Sequence, residues 1–255
     1  MKQKFALELY SVRHDLEKDF EGTLKAVRDM GYIGVEFAGG FVHSADRVSA
    51  ALKDLGLVCC GWHTPWDYVQ EDRLEATIAY NKAVGNRFII VPGLPGECTA
   101  TLDAWKATAG KFNDIAAKLA GHGMFLGYHN HWDEFKAVDG QTPFDAFFGA
   151  TNPEVVVQLD NGNALSGGGD VLQIIKAYPG RLRTVHLKPY SLTDGFDTML
   201  GQDSVPWSEF MRLCDEVGKA EWYIVEYESE KLHTPLTGVK LCIEALKQMQ
   251  AEGRI

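Results

Sequence analysis

Four runs in the sequence each finish on a side chain able to hold a metal ion or carry a proton. Arg181-Leu-Arg-Thr-Val-His-Leu-Lys-Pro-Tyr190 alternates apolar and polar residues up to His186 and Lys188. Glu154-Val-Val-Val-Gln-Leu-Asp160 and Trp222-Tyr-Ile-Val-Glu226 end on carboxylates, and Met124-Phe-Leu-Gly-Tyr-His129 ends on an imidazole. Successive side chains of a strand point to opposite faces. Val185 and Leu187 therefore take one face, Thr184, His186 and Lys188 the other, and Asp160 shares parity with Gln158. Together His129, Asp160, His186 and Glu226 make a mixed nitrogen and oxygen donor set for one divalent cation. Such a set suits Mn, Co, Zn or Fe better than calcium, which prefers an all-oxygen shell. Two carboxylates balance a dication, and the ion would keep Lewis acidity and an open position for substrate oxygens. One histidine or glutamate at a strand end is ordinarily satisfied by backbone, solvent or a lysine. Four at equivalent strand ends, all of inward parity, point to a metal or catalytic centre.

The elements that must position these groups follow a regular beat. Strands are expected at 5–10, 32–37, 57–63, 88–91, 124–129, 155–160, 184–188 and 222–226. Apolar residues at helical spacing predict helices at about 20–30, 44–55, 71–84, 101–120, 143–148, 171–177, 207–217 and 238–250. Glycines close several of them, as Gly31, Gly56 and Gly85 do. Strict alternation of strand and helix leaves a closed barrel or an open doubly wound sheet. Eight units in 255 residues, close to the roughly 250 typical of a (β/α)8 barrel, favour one barrel domain over residues 1–255. No G-x-G-x-x-G follows the first strand, so the dinucleotide fold lacks its signature. Active sites of such barrels lie at the C-terminal ends of the strands. Glu8, Glu36, His63, His129, Asp160, His186 and Glu226 all fall there, leaving only the strand that ends at Val91-Pro92 without an ionisable group.

Bulk composition narrows the function. Hydrophobic residues make up 45% and charged residues 24%, enough for a full core. A formal charge of -10 and no Lys/Arg-rich run disfavour a nucleic-acid partner. Cys59, Cys60, Cys98, Cys214 and Cys242 are odd in number and lack C-x-x-C spacing, which reads as free thiols in a reducing compartment. No long apolar segment or cleavage-site pattern opens the chain. These features lead us to expect a cytoplasmic protein with no membrane partner; a homo-oligomer is compatible with them.

Loops on the strand-end face, Thr64-Pro-Trp-Asp67, Asn130-His-Trp-Asp-Glu-Phe135, 161–170 and 191–206, are long enough to wall a pocket. Gly167-Gly-Gly169 lacks the Lys-Ser/Thr of a phosphate loop and reads as a flexible connection. His129 and His131 share parity, so either is a ligand candidate and the other a substrate contact. Glu134 is a free carboxylate candidate or a rim ion pair. Glu8 and Glu36 would hydrogen-bond substrate hydroxyls, or form internal pairs with Arg13 or Lys188.

The chain resembles the sugar phosphate isomerase/epimerase group of the xylose isomerase-like TIM barrels, which also contains endonuclease IV. The resemblance spans nearly the whole chain. It is carried by Leu9-Tyr-Ser-Val-Arg13, Gly34-Val-Glu-Phe37, His63-Thr-Pro65, Tyr128-His-Asn-His131 with Glu134-Phe135, Leu159-Asp-Asn-Gly162, Val185-His-Leu-Lys188 and Val225-Glu226. That family holds one metal on four ligands from strands five to eight, usually Glu, Asp, His and Glu. Asp160, His186 and Glu226 match three positions, and His129 stands where many epimerases have glutamate, as in the subgroup with a Tyr-His-Asn-His motif. The nuclease reading is weakened by Val91 and Asn163, which replace histidines of its three-metal cluster. Pro189 takes the place of a common Asp after His-x-Lys.

The resemblance implies chemistry alpha to a carbonyl on a sugar, sugar phosphate or cyclitol, through a metal-stabilised enediolate. Glu226 would ligate and transfer a proton, His131 or Glu134 would be the opposing acid/base, and Lys188 and His63 would orient hydroxyls while Trp66 and Trp132 stack on the ring. Reprotonation gives an isomerase or epimerase, the leading expectation. Expulsion of a beta substituent gives a lyase or dehydratase on a keto-sugar or 3-keto-glycoside. A barrel that only binds sugar, or serves as a subunit of a larger complex, is the third reading.

Overall fold

The structure, a computed structural model, describes residues 3–229 and 231–255. Eight parallel strands close into a barrel in chain order: β1 (Phe5–Glu8), β2 (Gly34–Ala38), β3 (Val58–His63), β4 (Phe88–Val91), β5 (Phe125–His129), β6 (Val156–Asp160), β7 (Thr184–Leu187) and β8 (Trp222–Val225), with β1 paired to β8. The principal helices between and after them are α1 (Phe20–Met30), α2 (Ala45–Leu55), α3 (Leu74–Ala83), α4 (Leu102–Ala120), α5 (Pro143–Phe148), α6 (Val171–Ala177), α7 (Trp207–Leu213) and α8 (Pro235–Ala251). The expected alternation holds throughout.

Boundaries move where local chemistry outweighs periodicity. β1 ends at Glu8, two residues early, because a 3-10 turn over Leu9–Val12 begins there and the Tyr10 amide donates to Glu8 Oε1 at 3.4 Å. α7 stops at Leu213, and a π turn over Cys214–Gly218 completes the expected helix before Lys219 turns left-handed at φ 61°. α8 starts three residues before Gly238 because Pro235, whose ring presets φ and whose missing N–H costs nothing there, occupies the first turn.

Strand parity divides the core in two. Outward residues such as Leu7, Val35, Ile89, Leu126, Val157 and Val185 pack beneath the helices. Inward residues Ala6, Cys60, Phe88, Ile90, Val156 and Ile224 plug the N-terminal end of the barrel. Above that plug the inward positions turn polar, with Gln158 and Thr184 and then the ionisable residues at the strand ends. The site therefore sits on an apolar floor that excludes water from below, which strengthens every electrostatic contact above it.

β3 reaches this arrangement by a bulge. Val35 pairs with Cys59 but Glu36 pairs with Gly61, so Cys60 is an extra residue in the ladder. Cys59 packs outward and Cys60 inward. Gly61 also faces inward, since a Cβ there would collide with the Glu36 carboxylate. Trp62 then turns outward onto Phe37 (ring centroids 4.6 Å apart), which leaves His63 facing the interior. All five cysteines are buried and free. Among the described residues no helix is long and apolar enough to cross a membrane.

Candidate metal centre

His129, Asp160, His186 and Glu226 come together as the strand-end parity predicts: one ligating atom from each lies within 4.8 Å of the others, and all four residues are buried. Asp160 ends β6 and caps the short helix Asn161–Ser166, its Oδ1 accepting the Asn163 amide at 2.7 Å. Its Oδ2 is buried with no hydrogen-bond partner and lies 4.0 Å from both His129 Nε2 and Lys188 Nζ. Burial, opposed by Lys188 and reinforced by Glu226, pushes this carboxyl up to about 7. An unpartnered carboxylate oxygen aimed at an imidazole nitrogen fits a divalent cation, whose charge would remove the cost of leaving it there.

Gln158, inward on β6, fixes the surrounding imidazoles. Its Nε2 donates to Glu36 Oε1 (2.9 Å) and Thr184 Oγ1 (3.1 Å). Its Oε1 is therefore the acceptor for His63 Nε2–H (2.6 Å) and His129 Nδ1–H (3.1 Å). His129 is thus held in the tautomer that presents the Nε2 lone pair towards Asp160, the role of an outer-shell partner at a metal site. Burial, with His186 and His63 alongside, keeps the His129 ring well below the usual histidine range and so neutral. Burial likewise lowers His63.

His186 bridges two carboxylates. Nδ1 is 2.6 Å from Glu226 Oε2 and Nε2 is 2.6 Å from Glu36 Oε2. Burial alone would lower this ring, but those two hydrogen bonds outweigh it and raise it well above its ordinary value. Glu226, just past β8, accepts Lys188 Nζ at 3.0 Å. Burial would raise Glu226, but Lys188 and His186 win and hold it well below the carboxylate range. Lys188 also pairs with Glu228 and is raised because these carboxylates outweigh its burial.

A cavity of about 420 Å³ opens above these groups, lined among others by Glu8, His63, His129, Lys188, Glu226 and Glu228. Glu8 Oε2 is buried without a partner, and burial together with neighbouring Glu36 raises its carboxyl well above normal. His131 and the 43% exposed Trp132 stand at the mouth.

Three expected site residues lie elsewhere. Glu36 does not line the cavity: Gln158 and His186 take its two oxygens, and although burial would raise it, His63 and His186 pull it down to about 2. Glu134 is turned away from the cavity, accepting the Tyr128 hydroxyl at 2.6 Å and the His131 amide at 3.0 Å, with its Oε1 3.9 Å from His131 Nδ1. Trp66 sits in a 3-10 turn with its ring stacked on Phe112 (centroids 5.4 Å), outside the cavity. Conversely, the sequence reading gave Gln158 only a parity and omitted Glu228. Gln158 carried the available signal, inward parity two residues before Asp160; Glu228 lies beyond the strand, where parity no longer speaks.

The model of the xylose isomerase-like TIM barrel family matches residues 24–249. The chain belongs to that family. Rhizopine catabolism protein MocC of Rhizobium meliloti is 23% identical over 91% of this chain and 82% of its own length. An inosose dehydratase of Clostridium perfringens is 24% identical over 84% of each chain. A sugar phosphate isomerase/epimerase from Parabacteroides distasonis superposes with a TM-score of 0.82 at 23% identity, covering 96% of this chain and 98% of that one. At such identity the structural likeness establishes the fold alone, while epimerases, isomerases and dehydratases all occur among xylose isomerase-like relatives.

Proposed function

We propose that the chain is a divalent-metal-dependent enzyme that removes a proton alpha to the carbonyl of a keto-sugar or keto-cyclitol and then expels a beta substituent. The unpartnered Asp160 Oδ2 within the His129, Asp160, His186 and Glu226 set is the observation that carries the metal. A cation held there would supply Lewis-acid polarisation of the substrate carbonyl. Glu226 faces the cavity as an ionised carboxylate and takes the C–H proton, whose electron pair moves into the enolate. Lys188, at 3.0 Å from Glu226, keeps positive charge beside the developing oxyanion. As the enolate collapses the bond to the beta oxygen breaks, and that oxygen takes the proton carried by Glu8, whose Oε2 has no other partner. Water or an alcohol leaves, and the proton count balances.

Elimination is favoured over two-base proton shuttling because the fifth strand supplies His129, a neutral ring already committed to Gln158, where a second ligand carboxylate would be needed. An inosose dehydratase among the relatives agrees with that choice. His131, lining the same cavity as Glu226, supports isomerisation or epimerisation as the second reading, because it could return the proton to carbon.

Purification without chelator, metal quantification by mass spectrometry, and incubation with keto-cyclitols and keto-glycosides in deuterated water test this. Metal in the wild type that is lost in Asp160→Asn and His186→Ala, with release of water or aglycone, supports elimination. Deuterium at the alpha carbon with nothing released supports the second reading. Folded wild type that neither holds metal nor binds any on reloading would overturn both.

A further inference from the structure

A second cavity, of about 380 Å³, opens beside the metal cavity on the same face of the barrel. Its walls are made by Leu16, Phe20, Phe37, Val48, Trp62 and Tyr80. The polar handles of Trp62 and Tyr80 are already used. Trp62 Nε1–H donates to the Gly39 carbonyl and the Tyr80 hydroxyl to the His43 carbonyl, each at 2.8 Å. These walls therefore offer an occupant apolar surface, while Tyr10, Arg13, His14, Glu17 and His43 supply the polar part of the lining.

What distinguishes this cleft from an ordinary surface groove is its neighbour. Tyr10 and Ala38 line both spaces, and Gly39 on the metal side is followed by Gly40 on the apolar side. Tyr10, 45% exposed, is covered by the Arg13 guanidinium 4.4 Å from its ring centre. One side of this divide is polar and ionisable, the other apolar, and each volume falls within the range of ligand sites.

We infer that the substrate carries an apolar, ring-sized substituent beyond its polyol half, and that this cleft seats it. The substrate class is thus an aryl- or alkyl-substituted keto-sugar or keto-cyclitol straddling Tyr10 and Ala38. The inference rests on the polyol reading of the metal cavity, and the cleft sets specificity without touching the reacting atoms.

The test titrates phenyl and methyl β-glucoside into metal-loaded protein by calorimetry, beside 4-fluorophenol followed by fluorine NMR. Two variants are compared with wild type. Leu16→Gln puts an amide into the wall at nearly unchanged volume. Val42→Asp places a charge at the lip, where Val42 is 87% exposed and folding is not at stake. The phenyl compound is expected to bind about tenfold tighter than the methyl one, as burial of an apolar ring predicts. In Leu16→Gln that gap closes while methyl glucoside affinity stays constant, and in Val42→Asp it narrows. Equal affinities in wild type, or a gap untouched by both variants, would overturn the inference. If neither glucoside binds but 4-fluorophenol binds wild type and not Leu16→Gln, the cleft stands as an apolar site and the polyol reading falls. Absence of all three interactions overturns both.

Discussion

Replacing Glu36 by glutamine asks whether the hydrogen-bond shell beneath the four proposed ligands sets metal affinity. Glu36 Oε2 takes the His186 Nε2–H at 2.6 Å and Oε1 takes the Gln158 amide at 2.9 Å. Glutamine has one acceptor oxygen. Turned towards His186, it points its own NH₂ at that of Gln158; turned the other way, it points NH₂ at the imidazole N–H. Gln158 cannot flip to compensate, because its oxygen already receives His63 and His129. Either pose leaves a buried donor unpaired and removes the charge that orients His186. A hydrogen bond to a charged group contributes about 1.5–3 kcal/mol, and at about 1.4 kcal/mol per decade Glu36→Gln should weaken metal binding about 10- to 100-fold. That is the range for outer-shell carboxylates elsewhere. Competition against a fluorescent chelator measures it, with a thermal melt of metal-free protein alongside. Affinity within about twofold of wild type, in a variant that melts normally, would refute the assignment of Glu36 as the group that positions His186.

Glu134→Gln should cost about 1–2 kcal/mol of unfolding free energy, because the buried Tyr128 hydroxyl and the His131 amide share that carboxylate. Urea melts read this, and a collapse of kcat at unchanged stability would instead restore Glu134 as an acid/base. Gly127→Ala should destabilise by about 1–3 kcal/mol, since its methyl would meet Ile90 Cδ1 and Val156 in the barrel plug; an unchanged melting temperature would show that the plug has slack. Burial, opposed by hydrogen bonds from Val205, Trp207 and Gly201, pushes Asp203 up to about 6 from its ordinary 3.8. Because the folded state prefers the protonated form, stability relative to Asp203→Asn is full below about pH 4 and is lost as pH rises through about 6. Partial exposure limits the change to about 1–2 kcal/mol. Urea melts at pH 4 and pH 7 measure it, and a difference of opposite sign would refute it.

Period-two alternation made the barrel legible, because an inward position must suit a polar centre while its neighbour must suit the helix layer. Thr184, His186 and Lys188 against Val185 and Leu187 state this in five residues, and the structure turns them as the alternation requires. Height along the barrel axis is not written in parity. Glu8 and Glu36 are register partners, yet Glu8 lines the cavity and Glu36 lies beneath it, a difference set by which neighbours claim their oxygens. Loop residues escape alternation altogether. Trp66 follows Phe112, a contact distant in sequence, and Glu134 follows the hydroxyl of outward-facing Tyr128.

The extra residue in β3 has an evolutionary corollary. Because Cys60 is unmatched in the ladder and shares the inward face with Gly61, the bulge absorbs one residue without turning those that follow it. Removing that one codon would restore simple alternation and leave Trp62 facing the helices and His63 facing the interior, because Val35 already pairs with Cys59 and Glu36 with Gly61. At this strand a one-residue deletion, unlike a substitution of His63, is the mutation that spares the chemistry. Lineages that gained or lost the residue would then share the same interior while differing in length, so a gap at this column would mark no change in the site.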